Sequence, residues 1–383
     1  MIPRTVYDSD LDVFRSTVRK FVDAEILPYC EKWEKEGQVD RSFWDKAAEM
    51  GLLAPTVPEE YGGLGLGYKY SAVVAEESLH AGVSIGVGAG LGLHNDVAVP
   101  YIVDNGSDEL KRKYLPKFVS GEMITAIAMT EPGTGSDLQS IKTTAILDGD
   151  HYILNGSKTF ITNGQLCDAV IVVCKTDPDE GADGVSLLLV EANSEGFQKG
   201  NNLEKVGMKA QDTSELFFQD VKVPKENLIG EEGLGFIYLM QALPQERLGI
   251  AISSICSAEY VLKETIEYVK ERRAFGRPIA AFQNTQFKLA EIDSEITVFR
   301  VFIDRCIDLH AEGQLDAVTA SKAKLLGTEL LGKVVDECLQ LFGGYGYMME
   351  YPIARAYADA RVSRIYGGTS EIMKLIIGRS LLA

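Results

Sequence analysis

Hydrophobic spacing divides the chain into three parts with different periods. From residue 1 to about 122 apolar positions recur at helical intervals, with Leu11, Phe14, Val18 and Phe21/Val22 on one face and Asp8 or Ser9 placed to cap the run. Ser42 stands where it would cap FWDKAAEMGLL. Pro58 and the glycine-rich EEYGGLGLG break the pattern before a further helix through SAVVAEESLHAG. From about 123 to 231 the period shortens: TTAIL, HYILNG, KTFITNG, AVIVVCKTD, GVSLLLVEA and SELFFQDVKVP are short β-branched and aromatic runs separated by turn residues, Asn155-Gly156 among them. They predict a middle antiparallel β-barrel or sandwich, and the absence of crossover helices between them argues against a doubly wound parallel sheet. After Gly235 long helical runs return, with Leu248, Ile252, Ile255, Leu262, Ile266 and Val269 at helical spacing up to AFGRP at 274–278, then further runs at 283–312 and 316–341. The expected class is α+β and multidomain: an N-terminal helical domain over 1–122, a middle β domain over 123–231 and a C-terminal four-helix-bundle domain over 232–383.

Two stretches break the rules of the elements that hold them. In GVSIGVGAGLGLH, Gly86, Gly88, Gly90 and Gly92 alternate with small apolar residues, and each glycine costs a helix about 1 kcal/mol relative to alanine. Something must approach this backbone closely, either a packed neighbour or a ligand. In LPQERLGIAI, taken as the opening of a long helix, Glu246 has no cation on its own face; positions i+3 and i+4 are Gly249 and Ile250, followed by Ser253. Glu246 is then either a first-turn acid favoured by the helix dipole or a carboxylate aimed into a cavity.

Composition narrows the classes. Hydrophobic residues at 46% and charged residues at 25% describe an ordinary globular chain of two or three core-bearing units. A formal charge of −18 excludes a domain-wide basic field, hence a general nucleic-acid or anionic-membrane binder, so cations for an anionic ligand must be gathered locally. The six cysteines lack CxxC spacing and read as reduced thiols; with no signal peptide, transit peptide or membrane-spanning run visible, the expectation is a cytoplasmic protein. Asn155-Gly156-Ser157 matches a glycosylation sequon, which means nothing without secretion.

Most catalytic signatures are missing. No GxxxxGK[ST], HExxH or complete GxGxxG occurs, and four histidines show no metal cluster. A GxSxG match at Gly82–Gly86 follows a helix where a nucleophile elbow needs a strand, and an SxxK match at Ser321–Lys324 lies inside a helical run. More informative is MTEPGTGSDLQS, residues 129–140: the amides and hydroxyls of Gly133, Gly135 and Ser136 make either a hairpin loop or a cradle for phosphate oxygens. It occurs together with ERRAFGRPIAAFQ (271–283), LQLFGGYGYMMEYP (339–352) and RIYGGTSEIMKLIIGR (364–379).

These four linked motifs resemble the acyl-CoA dehydrogenases, and the resemblance runs over essentially the whole chain. It implies FAD as cofactor, an acyl-CoA substrate, a homotetramer and an electron-transferring flavoprotein as electron acceptor. By position it implies that Ile127, Met129, Thr130, Gly135 and Ser136 line the flavin and its pyrophosphate, with Ser136 also on the pantetheine-phosphate arm. Phe160, Ile161 and Thr162 match the strand over the flavin's other edge. Arg272, Phe275, Gln283, Gln340, Gly343 and Gly344 match residues that reach the FAD of a neighbouring subunit, and Thr369 and Glu371 match nucleotide contacts. Many members carry their catalytic glutamate just after IY, where this chain has Gly367, which cannot remove a proton. The long-chain and isovaleryl branches share that glycine and place the base on the helix carrying PQER, which implies Glu246. Arg247 is then expected beside the CoA arm, and Pro244, Tyr366 and Gly367 as walls near the thioester. The implied reaction removes the α proton and moves a β hydride to the flavin, giving a trans-2-enoyl-CoA. The glycine run, if it lines the acyl tunnel, favours medium or long straight chains over isovaleryl-CoA in fatty-acid β-oxidation, and leucine at Gly90 should shorten the preferred chain. An isovaleryl- or branched-chain acyl-CoA dehydrogenase, an acyl-CoA oxidase-like protein and a catalytically silent scaffold are the alternatives.

Overall fold

The computed structural model describes residues 2–382. Seven α-helices precede the sheet: α1 (Ser9–Glu25), α2 (Cys30–Glu36), α3 (Arg41–Glu49), α4 (Tyr68–His80), α5 (Ile85–Gly92), α6 (Val99–Asn105) and α7 (Asp108–Val119). Asp8 caps α1, its carboxylate accepting from the Leu11 N–H at 3.0 Å. Ser42 does not cap: α3 starts at Arg41 behind Asp40, so Ser42 lies in its first turn. The glycine run is helical after all, and between α5 and α6 residues Leu93–Ala98 wind as a π-helix.

Seven strands follow: β1 (Thr125–Ala128), β2 (Thr144–Asp148), β3 (His151–Thr162), β4 (Ala169–Lys175), β5 (Val185–Glu191), β6 (Phe197–Asn202) and β7 (Thr213–Pro224). They form one sheet in the order β1-β4-β2-β3-β7-β6, with β5 on β4. It is mainly antiparallel, but β1 runs parallel to β4, and β2 meets β4 in a single parallel pair. HYILNG and KTFITNG are not a hairpin. They form the one strand β3, because Gly156, at φ +151°, makes a bulge where a Cβ would meet Thr143, rather than a reversal. The short FQKGNN strand, β6, had too little apolar content to be visible in the pattern.

The chain then returns to helix: α8 (Gly235–Glu271), the small hairpin β8 (Arg273–Ala274) and β9 (Arg277–Pro278), α9 (Gln283–Ala311), α10 (Ala317–Phe342), α11 (Pro352–Ala360) and α12 (Ser370–Leu382). A shared apolar core with Leu248, Ile252, Ile255, Ile303 and Val334 joins α8, α9 and α10. A second core joins α6 and α7 to one face of the sheet and to Leu239 of α8, and a third fills the sheet's other face. No helix among the described residues is long and apolar enough to cross a membrane.

His80, Cys256 and Glu259 lie within metal-ligand reach of one another. The Arg300 guanidinium already donates to the Cys256 thiol at 3.2 Å and to Glu259 at 2.5 Å, so a cation occupies the place of any metal.

Candidate active site

Glu246 is not in the first turn of its helix. Because α8 begins at Gly235, Glu246 lies three turns in, where the dipole of the N-terminus no longer accounts for an acid. Pro244 sits inside the same helix and offers no N–H to the preceding turn. Glu246 is half-buried, and burial of its carboxyl pushes it up to about 7; against this work a hydrogen bond from Tyr101 and the charge of Arg247. The Tyr101 hydroxyl donates to Glu246 Oε1 at 3.0 Å, and Tyr101 is itself buried. Its phenol is held well above the usual range by burial and by Glu246, so it is a donor at every working pH. One turn along from Glu246, Gly249 faces open space, with nothing within 4 Å of where a Cβ would stand.

Gly367 and Gly368 lie beside this helix in left-handed backbone, at φ +63° and +96°. A Cβ on Gly367 would come within 2.4 Å of the Ile250 methyl, so the glutamate that other branches carry there meets both strain and the end of Ile250. Tyr366 is half-buried, its phenol pushed up to about 12 by burial and by Asp359. Arg247 is buried, and its Nη1 donates to Ser321 Oγ of α10 at 3.3 Å. Thr369 acts locally, accepting from the Ile372 N–H at 3.3 Å at the start of α12, and Glu371 is exposed next to it.

The MTEPGTGS loop lies on the sheet beside the FIT segment, tied to it where the Thr159 N–H donates to Thr130 O at 2.9 Å. Below them the buried Lys158 ammonium donates to Met129 O at 3.0 Å and Glu131 Oε1 at 2.9 Å. Glu131 also accepts the N–H groups of Lys142 and Thr143, so one buried ion pair fixes the loop's take-off. Ile127 and Ile161 point into apolar cores and can offer a ligand only main-chain atoms. Met129, Thr130 and Thr162 are half-buried, Ser136 and Gly135 exposed, and Phe160 67% exposed at φ +59°.

Arg272, Phe275, Gln283, Gln340, Gly343 and Gly344 form a separate group at the β8–β9 hairpin and the end of α10, all exposed. Arg272 stacks over the Tyr345 ring at 5.4 Å, and Phe275 is 95% exposed. The motifs do not mark three partners: Tyr101, Lys158 within KTFITNG, and Lys324, whose Nζ donates to Gly368 O at 2.6 Å.

A carboxyl that titrates near 7 inside a walled space is suited to take a proton from a weakly acidic carbon and release it again. The class this defines is a proton-abstracting enzyme. Residues 8–122 match the acyl-CoA dehydrogenase N-terminal domain, 126–221 its middle domain and 233–382 its C-terminal domain. The chain is 50% identical over 382 residues to the mitochondrial long-chain specific acyl-CoA dehydrogenase of Rattus norvegicus, covering 99% of this chain and 88% of that one. It is 37% identical over 378 residues to the mitochondrial isovaleryl-CoA dehydrogenase of Solanum tuberosum, covering 98% and 91%. The crystal structure of the Geobacillus kaustophilus acyl-CoA dehydrogenase superposes with a TM-score of 0.97 at 51% identity, covering 99% of this chain and 100% of that one. The chain belongs to the acyl-CoA dehydrogenase family, FAD-dependent oxidoreductases that act on the CH–CH bond of an acyl-CoA.

The residues present fit FAD. Among the described residues the N–H groups of Gly135 and Ser136 find no acceptor, and neither Gly133 nor Gly135 has anything within 4 Å of a Cβ position, which leaves an open cradle for pyrophosphate oxygens.

Loss of the Tyr101 hydrogen bond should be legible in the pH profile. Tyr101→Phe removes a donor to the ionised carboxylate, so the Glu246 pKa rises further and the acid limb of kcat/KM moves to higher pH. A hydrogen bond of ordinary worth predicts a loss on the order of 3- to 10-fold at pH 6 and little change at pH 9. A variant whose profile overlays that of the wild type would remove Tyr101 from the site.

Proposed function

We propose that the chain dehydrogenates medium- and long-chain straight acyl-CoA thioesters to trans-2-enoyl-CoA in fatty-acid β-oxidation, with Glu246 as the base. The observation that carries this reading is the half-buried Glu246 carboxyl, pushed up to about 7 and hydrogen-bonded by Tyr101. Glu246 removes the α proton, and Pro244, Tyr366 and Gly367 wall the thioester from water. FAD, when bound, accepts the hydride that leaves the β carbon. Met129, Thr130, Phe160 and Thr162 would flank its ring, and Ser136 with the neighbouring amides would hold phosphate oxygens. Arg272, Phe275, Gln283, Gln340, Gly343 and Gly344 would serve the FAD of a second copy in a homotetramer; their exposure in the single chain supports this. Thr369 and Glu371 would reach the nucleotide, and an electron-transferring flavoprotein would take the electrons onward.

Chain length rests on α5. Gly88 and Gly92, one helical turn apart on a single face, have open space where side chains would stand. Gly90 and Gly86 face elsewhere: a Cβ on Gly90 would lie 2.5 Å from Asn163 Oδ1, and one on Gly86 2.7 Å from the Met208 backbone. The glycine run therefore divides into a packing pair and an open pair, and Gly90 is the wrong place to shorten a tunnel. Gly88→Leu or Gly92→Leu should move the preferred substrate to shorter chains, whereas Gly90→Leu should cost stability without that shift. A chain-length series with an artificial electron acceptor measures both, and an unchanged preference at Gly88 and Gly92 would sink the tunnel.

The test of the whole reading is anaerobic. The protein should be yellow, and an acyl-CoA should bleach it; a colourless protein that takes up no added FAD would overturn the proposal. Stoichiometric peroxide in air would assign it instead to the oxidase-like reading.

A further inference from the structure

Lys324 on α10 is a fully buried ammonium, and the reaction as proposed does not use it. Its Nζ donates to Gly368 O at 2.6 Å, and among the described residues no carboxylate lies within salt-bridge distance of it. An unpaired buried charge is unfavourable to keep, so a fold that keeps one has placed it against something. The charged groups around it come from four elements. Arg247 reaches in from α8, Glu329 stands on α10 itself, Arg364 lies in the turn of 3-10 helix at Arg361–Arg364, and Glu371 is on α12. Glu329 is already committed to Arg364 Nε at 2.9 Å and to the Ser370 hydroxyl at 2.8 Å, and Glu371 is exposed. Arg247 is buried, and its Nε has no hydrogen-bond partner among the described residues. Two cations, Lys324 and Arg247, therefore lie beneath the Gly367–Gly368 turn; Arg247 faces the Glu246 carboxyl, and Lys324 has no carboxylate of its own among the described residues. In that turn the N–H groups of Gly367 and Gly368 also find no acceptor among the described residues.

Resting on the placement of the thioester beside Gly367, we propose that Lys324 is a positioning residue for the dehydrogenation. Its hydrogen bond to Gly368 O fixes the double-glycine turn, and its charge, with that of Arg247, offsets the negative charge that grows on the thioester oxygen as the α proton leaves. Two consecutive left-handed glycines form a segment with unusual freedom, and a clamp from a buried side chain is what keeps such a turn in one conformation. Donors and charges prearranged where negative charge develops lower the barrier and need no reorganisation during the reaction. Burial, reinforced by Arg247, pulls the Lys324 ammonium down to about 8, so the charge is present below that pH and is lost above it.

The experiment uses the FAD-loaded enzyme with a saturating straight-chain acyl-CoA, comparing wild type, Lys324→Met and Lys324→Gln. Wild-type kcat should fall as pH rises through about 8. Lys324→Met should lose on the order of 100-fold in kcat, as for removal of one prearranged donor, with KM nearly unchanged and no fall across pH 8–9.5. Lys324→Gln can still donate to Gly368 O without charge, so it should lose the alkaline limb yet keep the turn. Amide hydrogen exchange over residues 365–370 reads the turn without reference to turnover: it should quicken in Lys324→Met and stay near wild type in Lys324→Gln. A Met variant with kcat within threefold of wild type, an alkaline limb that persists in both variants, or exchange unchanged in Lys324→Met would overturn the proposal. If no acyl-CoA reduces the wild-type flavin, the functional reading falls by itself, and the exchange data still decide whether Lys324 holds the turn.

Discussion

Glu246→Gln is expected to lower turnover by on the order of 10²- to 10⁴-fold, the range for loss of a positioned general base. The amide keeps the size of the side chain and can still accept from the Tyr101 hydroxyl, so FAD content and acyl-CoA binding should stay close to wild type while the flavin stays oxidised. The same substitution carries a second signature with a definite sign. The folded carboxyl titrates at about 7 against an ordinary 4.5, so the folded state holds its proton more tightly than the unfolded chain does. Ionising it therefore costs folded-state stability. The cost is absent below about 4.5, grows between there and 7, and is complete above 7. A neutral glutamine escapes it, so the variant should be more stable than wild type at pH 8, by roughly 2–3 kcal/mol, and indistinguishable at pH 4. Chemical denaturation at the two pH values measures this. Normal turnover by the variant would move the base elsewhere, and equal stability at pH 8 would mean that the carboxyl is not desolvated.

Lys158→Met should destabilise the protein by about 3–5 kcal/mol, the usual result of removing one partner from a buried ion pair. The Lys158 side chain has no exposed surface and Glu131 almost none, and their contact is 2.9 Å. Glu131 would then be left ionised in the interior with only the N–H groups of Lys142 and Thr143 as partners. In the wild type the burial of Glu131 is outweighed by Lys158 and the Thr143 hydrogen bond, which hold its carboxyl below the usual range. Because Lys158 also holds Met129 O, the loss should appear in FAD retention as well as in denaturation midpoint. The double variant Lys158→Met, Glu131→Leu should recover much of the stability, since no buried charge is left alone. A single variant costing under about 1 kcal/mol would show that the pair is replaceable.

Much of the architecture was legible because periodicity is a local property. Leu248, Ile252 and Ile255 announce a helix face, and AVIVVCK announces a buried strand, whatever packs on them. Where a local signal competed with a distant partner, it misled. Asn155-Gly156 reads as a hairpin turn, but β3 continues through it because β7 supplies the cross-strand partners and Thr143 fits against Gly156. Ser42 reads as a cap, yet the helix begins before it. The glycine run showed that something comes close to α5, but not that Gly86 and Gly90 meet Met208 and Asn163 while Gly88 and Gly92 face open space.

The same division holds at the site. The sequence by itself determined the three-part order of helix, sheet and helix, and it singled out Glu246, because an acid followed by Gly249 and Ile250 is anomalous on any helix and Gly367 leaves no carboxyl in the other expected place. It could not supply the environment of the Glu246 carboxyl. That depends on burial, which raises its pKa, and on Tyr101, 145 residues away, and Arg247, which work against it. The reason is physical. A helix face is set by neighbours within a few residues, whereas desolvation and the charge around a carboxyl are sums over everything that folding brings near it, and only the tertiary structure decides those sums.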